Sequence, residues 1–159
     1  MKINMNKKCR KFWKSFLNQA GLPAETSPLE VFYFTDSKEY ADELAEATIS
    51  GQKTGTAALL WDMESIGIPK PGDLSLVTFA NDEPACVIET TEINIVPFNE
   101  VSPEFAATEG EIDPSLEHWR KCHWREFVDL CGKLNRVPSE TMPVICERIK
   151  VVYTEKHNN

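Results

Sequence analysis

Ser50-Gly51-Gln52-Lys53-Thr54-Gly55-Thr56-Ala57-Ala58-Leu59-Leu60-Trp61 forces a change of backbone period within a few residues, and the rest of the chain must be arranged around it. Before it, Tyr40, Ala41, Leu44, Ala45 and Thr48 recur at three- and four-residue steps, which predicts a helix with one inner face. Gly51 is the residue type on which such a helix ends, because a missing Cβ admits the left-handed conformation. After it, Thr54, Thr56, Leu59, Leu60 and Trp61 read as a strand. Thr54 and Thr56 then share a face and Lys53 begins on the other. At the mouth of a small barrel the first strand residue can swing inward, which would bring the Lys53 amine beside the Thr56 hydroxyl.

The flanking segments alternate in the same way. From Asn6 to Ala20, Cys9, Phe12, Trp13, Phe16, Leu17 and Ala20 form one apolar helical stripe, so a helix over about 6–20 is expected to pack on the core. Val31-Phe32-Tyr33-Phe34 reads as a short strand, and Asp36 or Ser37 as the cap of the next helix, with Glu39 completing a box-like pattern from Asp36. The turn Pro69-Lys70-Pro71-Gly72-Asp73 precedes a strand over 74–80, and Asn81 to Pro84 reverses the chain into 85–98, long enough to be one bent strand or two. Ser102-Pro103 starts a short helix to Thr108, Asp113-Pro114 a longer one to Gly132, and 133–142 is a polar loop. Pro143 to Tyr153 closes as a strand with Ile145, Ile149, Val151 and Tyr153 on one face. The fold class this predicts is α+β, a small, mostly antiparallel, closed β-barrel with helices inserted between strands.

Composition bounds the function. A chain of 159 residues, 42% hydrophobic, can bury one sizeable core, so a single domain over 1–159 is expected. The net charge of −8 argues against broad phosphate-driven binding but not against one small nucleotide. No apolar run reaches bilayer length and Met1 to Ala20 lacks a signal-peptide core, so the expected location is the cytoplasm, with no membrane partner. Cys9, Cys86, Cys122, Cys131 and Cys146 form no C-x-x-C pair and read as free buried thiols. His118, His123 and His157 lack metal-ligand spacing, so no metal and no cofactor are expected.

Several segments together resemble a known family. Gly51-Gln52-Lys53-Thr54-Gly55-Thr56, Pro71-Gly72-Asp73, Phe105-Ala106-Ala107-Thr108-Glu109-Gly110, the Leu116 to Trp124 stretch and Met142-Pro143-Val144-Ile145-Cys146-Glu147-Arg148 resemble the ASCH domain, a relative of the PUA-like RNA-binding barrels, and look closest to a longer bacterial branch of uncharacterised members. The resemblance implies a small barrel with a cleft beside the Lys-Thr segment. A shorter bacterial branch comprises N4-acetylcytidine amidohydrolases that use a lysine, a threonine three residues later and a glutamate. By motif these roles fall on Lys53, Thr56 and Glu109. That branch also places an arginine shortly after the threonine, where this chain has Ala57-Ala58.

The chemistry is self-consistent without the family. A threonine hydroxyl needs a base, and a desolvated lysine can serve as one. Glu109 can protonate the leaving amine or hold the lysine. Thr54 and Trp61 are candidate substrate contacts, Trp61 by stacking on a base. Each residue also has a plain alternative. Lys53 can complement the negative end of the helix dipole, Thr54 and Thr56 can be ordinary strand residues, Glu109 can be a solvated surface group, and Trp119 and His123 can be core. Glu147-Arg148 reads as either a cross-strand pair or a pocket pair. Two functions follow: a metal-independent amidohydrolase acting on an N-acylated nucleoside such as N4-acetylcytidine, or an RNA-binding module of the PUA-like type with weak ribonuclease activity. The expected partner is accordingly a small-molecule nucleoside or RNA, with a homodimer left open.

Overall fold

The structure, a computed structural model, describes residues 3–35 and 37–155. Helix α1 spans Lys7–Ala20, opens on Asn6, whose side chain accepts from the Cys9 N–H, and ends at Gly21. Its buried stripe of Cys9, Phe12, Trp13, Phe16 and Leu17 packs on Leu76 and Val87. Each large apolar side chain removed from water in this way contributes about 1.5–3 kcal/mol before chain entropy is charged against it. Strand β1 is only Val31–Phe32, and helix α2 covers Lys38–Ser50. Ser37 precedes α2 without a side-chain capping bond; the expected cap Asp36 lies outside the described residues.

Strand β2 is Gly55–Leu59, and Leu60–Met63 form a single helical turn, α3. Leu60 and Trp61 are therefore not strand residues. The reason lies in the partner strand: β5 begins at Pro143, so past the Leu59–Val144 pair no further ladder remains. Strand β3 is Leu74–Thr78 and β4 is Pro84–Pro97, one long strand bent at bulges beside Val87/Ile88 and Thr90/Glu92. Helix α4, Pro103–Ala106, continues into a 3-10 turn, Ala107–Glu109. Helix α5 is Leu116–Lys133 and is capped by Ser115, not by the Asp113-Pro114 step; the Asp113 carboxylate instead accepts from the Ser115 N–H at 3.0 Å. Strand β5 is Pro143–Tyr153.

The five strands form one curled sheet in the order β1-β3-β4-β5-β2, antiparallel except for the parallel β1–β3 pair. Among the described residues the edges β1 and β2 do not pair, so the sheet is a half-barrel. A two-residue β1 offers too little ladder to close it. Adjacent residues send side chains to opposite faces: Val77 and Ile88 pack with Leu44 and Ala45 of α2, whereas Leu76 and Val87 pack under α1. The bulge beside Val87 breaks the expected alternation in β5. Val151 stays on the α2 side, but Tyr153 turns to α1, its ring 5.0 Å from that of Phe12. A third cluster holds Leu59, Val144 and Cys146 against Trp119, Phe127 and Cys131 of α5. All five cysteines are free thiols, and all but Cys122 are buried.

Candidate active site around Lys53

Lys53 sits where α2 hands over to β2, and its backbone is tied on both sides. Its N–H donates to the Ala47 carbonyl at 2.9 Å, the Thr54 N–H to Thr108 at 2.8 Å, and the Ile149 N–H to the Thr54 carbonyl at 3.0 Å. The side chain runs inward, and the residue is 3% exposed. Its Nζ lies 4.7 Å from the Phe34 ring centroid and donates to the carbonyls of Gly55 at 2.7 Å and Glu109 at 3.4 Å, and to Glu109 Oε1 at 3.3 Å. The ammonium therefore reaches into the core and does not serve the end of α2.

Two glycines make this approach physically attainable. A Cβ on Gly55 would fall 1.9 Å from Thr108 Oγ1, and one on Gly110, where φ is +75°, would fall 2.8 Å from Lys53 Cβ. Both sites need a residue without a side chain so that the 3-10 turn carrying Glu109 can press against the start of β2.

Glu109 is 4% exposed, and both of its oxygens are engaged. Oε1 faces Lys53; Oε2 accepts from the Trp119 indole N–H and lies 3.3 Å from His123 Nε2. His123 Nδ1 is 2.9 Å from the Trp119 carbonyl, and its ring stacks on Trp119 with centroids 4.2 Å apart. With an acceptor at each ring nitrogen, His123 is placed so that its surroundings favour the protonated ring. Burial opposes that charge, but the Glu109 carboxylate outweighs it and raises the histidine above its ordinary value. For Glu109, burial favours the neutral acid, yet Lys53, His123 and Trp119 together depress it to about 2. The balance at Lys53 is different. Desolvation lowers it, and Glu109 recovers only part of the loss. Glu109 is the firmly ionised member of the cluster, and the Lys53 proton is the loose one.

Lys53 and Glu109 thus converge as the motif implied, and Trp119 and His123, read as core, are core residues that also bind Glu109. Thr56 is half-buried on β2, directly across from Glu147 of β5. Among the described residues its hydroxyl makes no hydrogen bond to Lys53 or Glu109. Thr54 is exposed. Trp61, in α3, carries the Arg136 guanidinium 4.6 Å from its ring centroid. Glu147 accepts from Thr90 Oγ1 at 2.6 Å, and burial raises its carboxyl, with Asp73 adding to the effect and the Thr90 bond and Lys53 opposing it. Glu30, just before β1, is pushed up to about 7 by burial and then by Glu147 and Asp62. The sequence offered one signal for this second carboxylate group, the Glu147-Arg148 pair, and none for Glu30.

Behind the cluster, a recess of about 600 Å³ opens between α2 and the loop after Glu109, lined by Glu43, Glu46, Gln52, Gly110, Glu111 and their neighbours. There Glu111 accepts from the Tyr40 hydroxyl and meets His118 Nε2 at 3.2 Å. Among the described residues no group of three His, Cys, Asp or Glu side chains is placed to hold a metal ion, and no helix is long and apolar enough to cross a membrane.

A half-barrel of five strands with a buried lysine–glutamate pair at the α2–β2 junction defines a mixed α+β protein of the PUA-like type. The sequence profile of the ASCH domain matches residues 30–153, and the chain belongs to that family. Its fold is similar to the crystal structure of an ASCH domain from Lactobacillus crispatus JV V101, with a TM-score of 0.84 and 29% identity over 94% of this chain and 97% of the other. It is also similar to a protein from Enterococcus faecalis V583, with a TM-score of 0.83 and 28% identity over 98% and 99% of the two chains. A search of curated proteins finds no match.

Proposed function

We propose that the protein is a metal-independent amidohydrolase acting on an N-acylated nucleoside such as N4-acetylcytidine. The observation that carries this reading is the Lys53 amine, which is buried, stripped of part of its proton affinity by desolvation, anchored on Glu109 and three residues from Thr56. In this scheme the neutral Lys53 amine takes the Thr56 proton as the hydroxyl oxygen attacks the acetyl carbonyl, and water then releases acetate from the acyl-enzyme. Glu109 serves by fixing Lys53. The test is hydrolysis of N4-acetylcytidine by the purified protein, followed by chromatography: the wild type releases cytidine, and Lys53→Ala and Thr56→Ala do not. Wild-type rates in Thr56→Ala refute the scheme.

A second reading, an RNA-binding module, is favoured by one observation away from the site. Residues 1–24 carry six basic and no acidic side chains, whereas residues 25–159 carry 11 basic and 25 acidic ones, so the whole-chain charge hides a basic end. Lys7, Arg10, Lys11 and Lys14 lie at helical spacing on the exposed side of α1, over about 10 Å of axis. Its apolar side is buried on the sheet, leaving nothing to insert into a bilayer. On this reading a single-stranded RNA binds with a log–log salt slope of roughly −2 to −3, as three or four phosphate contacts require. Changing Lys7, Lys11 and Lys14 to Gln abolishes that binding and leaves cytidine release intact.

A further inference from the structure

The proposed hydrolysis leaves one proton unassigned, the one the departing amine must collect, and the two carboxylates near Lys53 are not equally able to supply it. Glu109 is saturated. Its Oε1 receives Lys53 and its Oε2 receives Trp119 and His123, so both oxygens are occupied by N–H donors. A carboxylate in that setting holds a position and does not take up a proton to deliver. It also sits on the α5 side of Lys53, among Trp119 and His123.

Glu147 is placed differently. In the β2–β5 ladder it pairs directly with Thr56, and cross-strand partners share a face with Cβ atoms about 5 Å apart. Among the described residues its hydrogen bond from Thr90 Oγ1 occupies Oε2 and leaves Oε1 for another partner. Lys53 acts on Glu147 electrostatically, and Thr56, opposite Glu147 in the ladder, is three residues along the chain from Lys53. Asp73, in the turn before β3, adds its charge to Glu147, and Glu147 in turn raises Glu30, just before β1.

On this geometry, and resting on the hydrolase reading, we propose that Glu147 is the general acid–base residue facing Thr56, while Glu109 is a positioning residue for Lys53. The substrate class follows from that assignment: an amide whose leaving group is a poor one, an amine that must be protonated to depart. As Thr56 Oγ bonds to the acyl carbon, its proton passes to Lys53; the C–N bond then breaks as the Glu147 carboxyl proton moves to the leaving nitrogen. In the second half Glu147, now carboxylate, takes a proton from water as the hydroxide oxygen bonds to the acyl carbon. The bond to Thr56 breaks, and Lys53 returns its proton to the threonine oxygen. One acetic acid and one amine leave, and all three groups are restored. The directions of charge agree with this, since burial raises the Glu147 carboxyl and lowers the Lys53 amine, each towards the form the step requires.

Two measurements test the assignment. The first needs no substrate: carbon-13 NMR titration of labelled glutamates in the wild type, with Glu147→Gln and Glu109→Gln to assign the signals. The Glu147 carboxyl is expected to titrate above ordinary glutamate and Glu109 far below it; the reverse order overturns the proposal. The second compares leaving groups. Glu147→Gln is expected to lose at least about 100-fold in turnover of N4-acetylcytidine. It should keep the first-turnover burst from 4-nitrophenyl acetate, whose leaving group needs no proton, while Thr56→Ala loses that burst. Retention of amide turnover within three-fold in Glu147→Gln overturns the role of Glu147. A wild type inactive on the amide overturns the hydrolase reading instead, and the titration then still decides which carboxyl carries the proton.

Discussion

Replacing Glu109 with Gln probes the centre of the structure with almost no change in shape. Glu109 is 4% exposed, so the variant leaves two buried basic groups, Lys53 and His123, without their counter-ion, and turns one end of the acceptor carboxylate into an amide donor. Removing one partner of a buried pair costs about 3–5 kcal/mol, mostly as the penalty of the charge left behind. For a chain of this length that lowers the melting temperature by roughly 6–20 °C. The loss should also depend on pH. Without Glu109, burial outweighs the more distant Glu147 and Glu126 still more and lowers Lys53 further below 10.5, the ordinary value it keeps when unfolded. The unfolded state then binds the extra proton, so stability of the variant rises with pH, and the deficit at pH 9 is smaller than at pH 6. The assay is urea denaturation followed by tryptophan fluorescence at both pH values, with Lys53→Met and the double variant completing a cycle. Because Lys53→Met removes the stranded charge, the double variant should lose less than the sum of the singles, by about 1–3 kcal/mol. A Glu109→Gln loss below about 1 kcal/mol, an equal loss at the two pH values, or strict additivity would refute the buried-pair account.

Acid should act through the same residue in the wild type. Glu109 is held at about 2 against an ordinary 4.5, so its stabilisation, about 3 kcal/mol, is complete above pH 4.5 and is lost as pH falls towards 2; urea midpoints from pH 2 to 6 in wild type minus Glu109→Gln show this window. Gly55→Ala places a Cβ 1.9 Å from Thr108 Oγ1 and should cost about 1–3 kcal/mol in thermal unfolding, with Thr108→Ala in the same chain recovering part of it; a neutral Gly55→Ala would mean the 3-10 turn is not pressed on β2.

What the sequence disclosed and what it withheld separate along a physical line. Periodicity is local, so α1, α2 and β3 to β5 were legible within a residue or two, and the α+β class with a mostly antiparallel sheet followed from their order. The end of β2 was not, because Leu60 leaves the strand only where Pro143 ends the partner ladder, more than 80 residues away. The Asp113-Pro114 step misled for a related reason: Ser115 offers the same capping chemistry nearer the helix, and only the backbone path chooses between them. Lys53 could be singled out because its neighbours Gly51, Gly55 and Thr56 mark a junction. Glu109 carried no such mark, and only the family resemblance brought it forward. Trp119 and His123 show why side-chain roles are harder than side-chain burial. Their spacing on α5 placed them in the core, yet a helical stripe says nothing of the carboxylate that the 3-10 turn delivers between them, and that carboxylate is what raises a buried histidine above its ordinary value. Thr56 and Glu147 face each other for a similar reason, since nothing within either strand records the register that pairs them. In this chain the positions of chemically competent residues were readable one at a time, and their division into an anchored carboxylate and an open one came only from the three-dimensional count of donors around each.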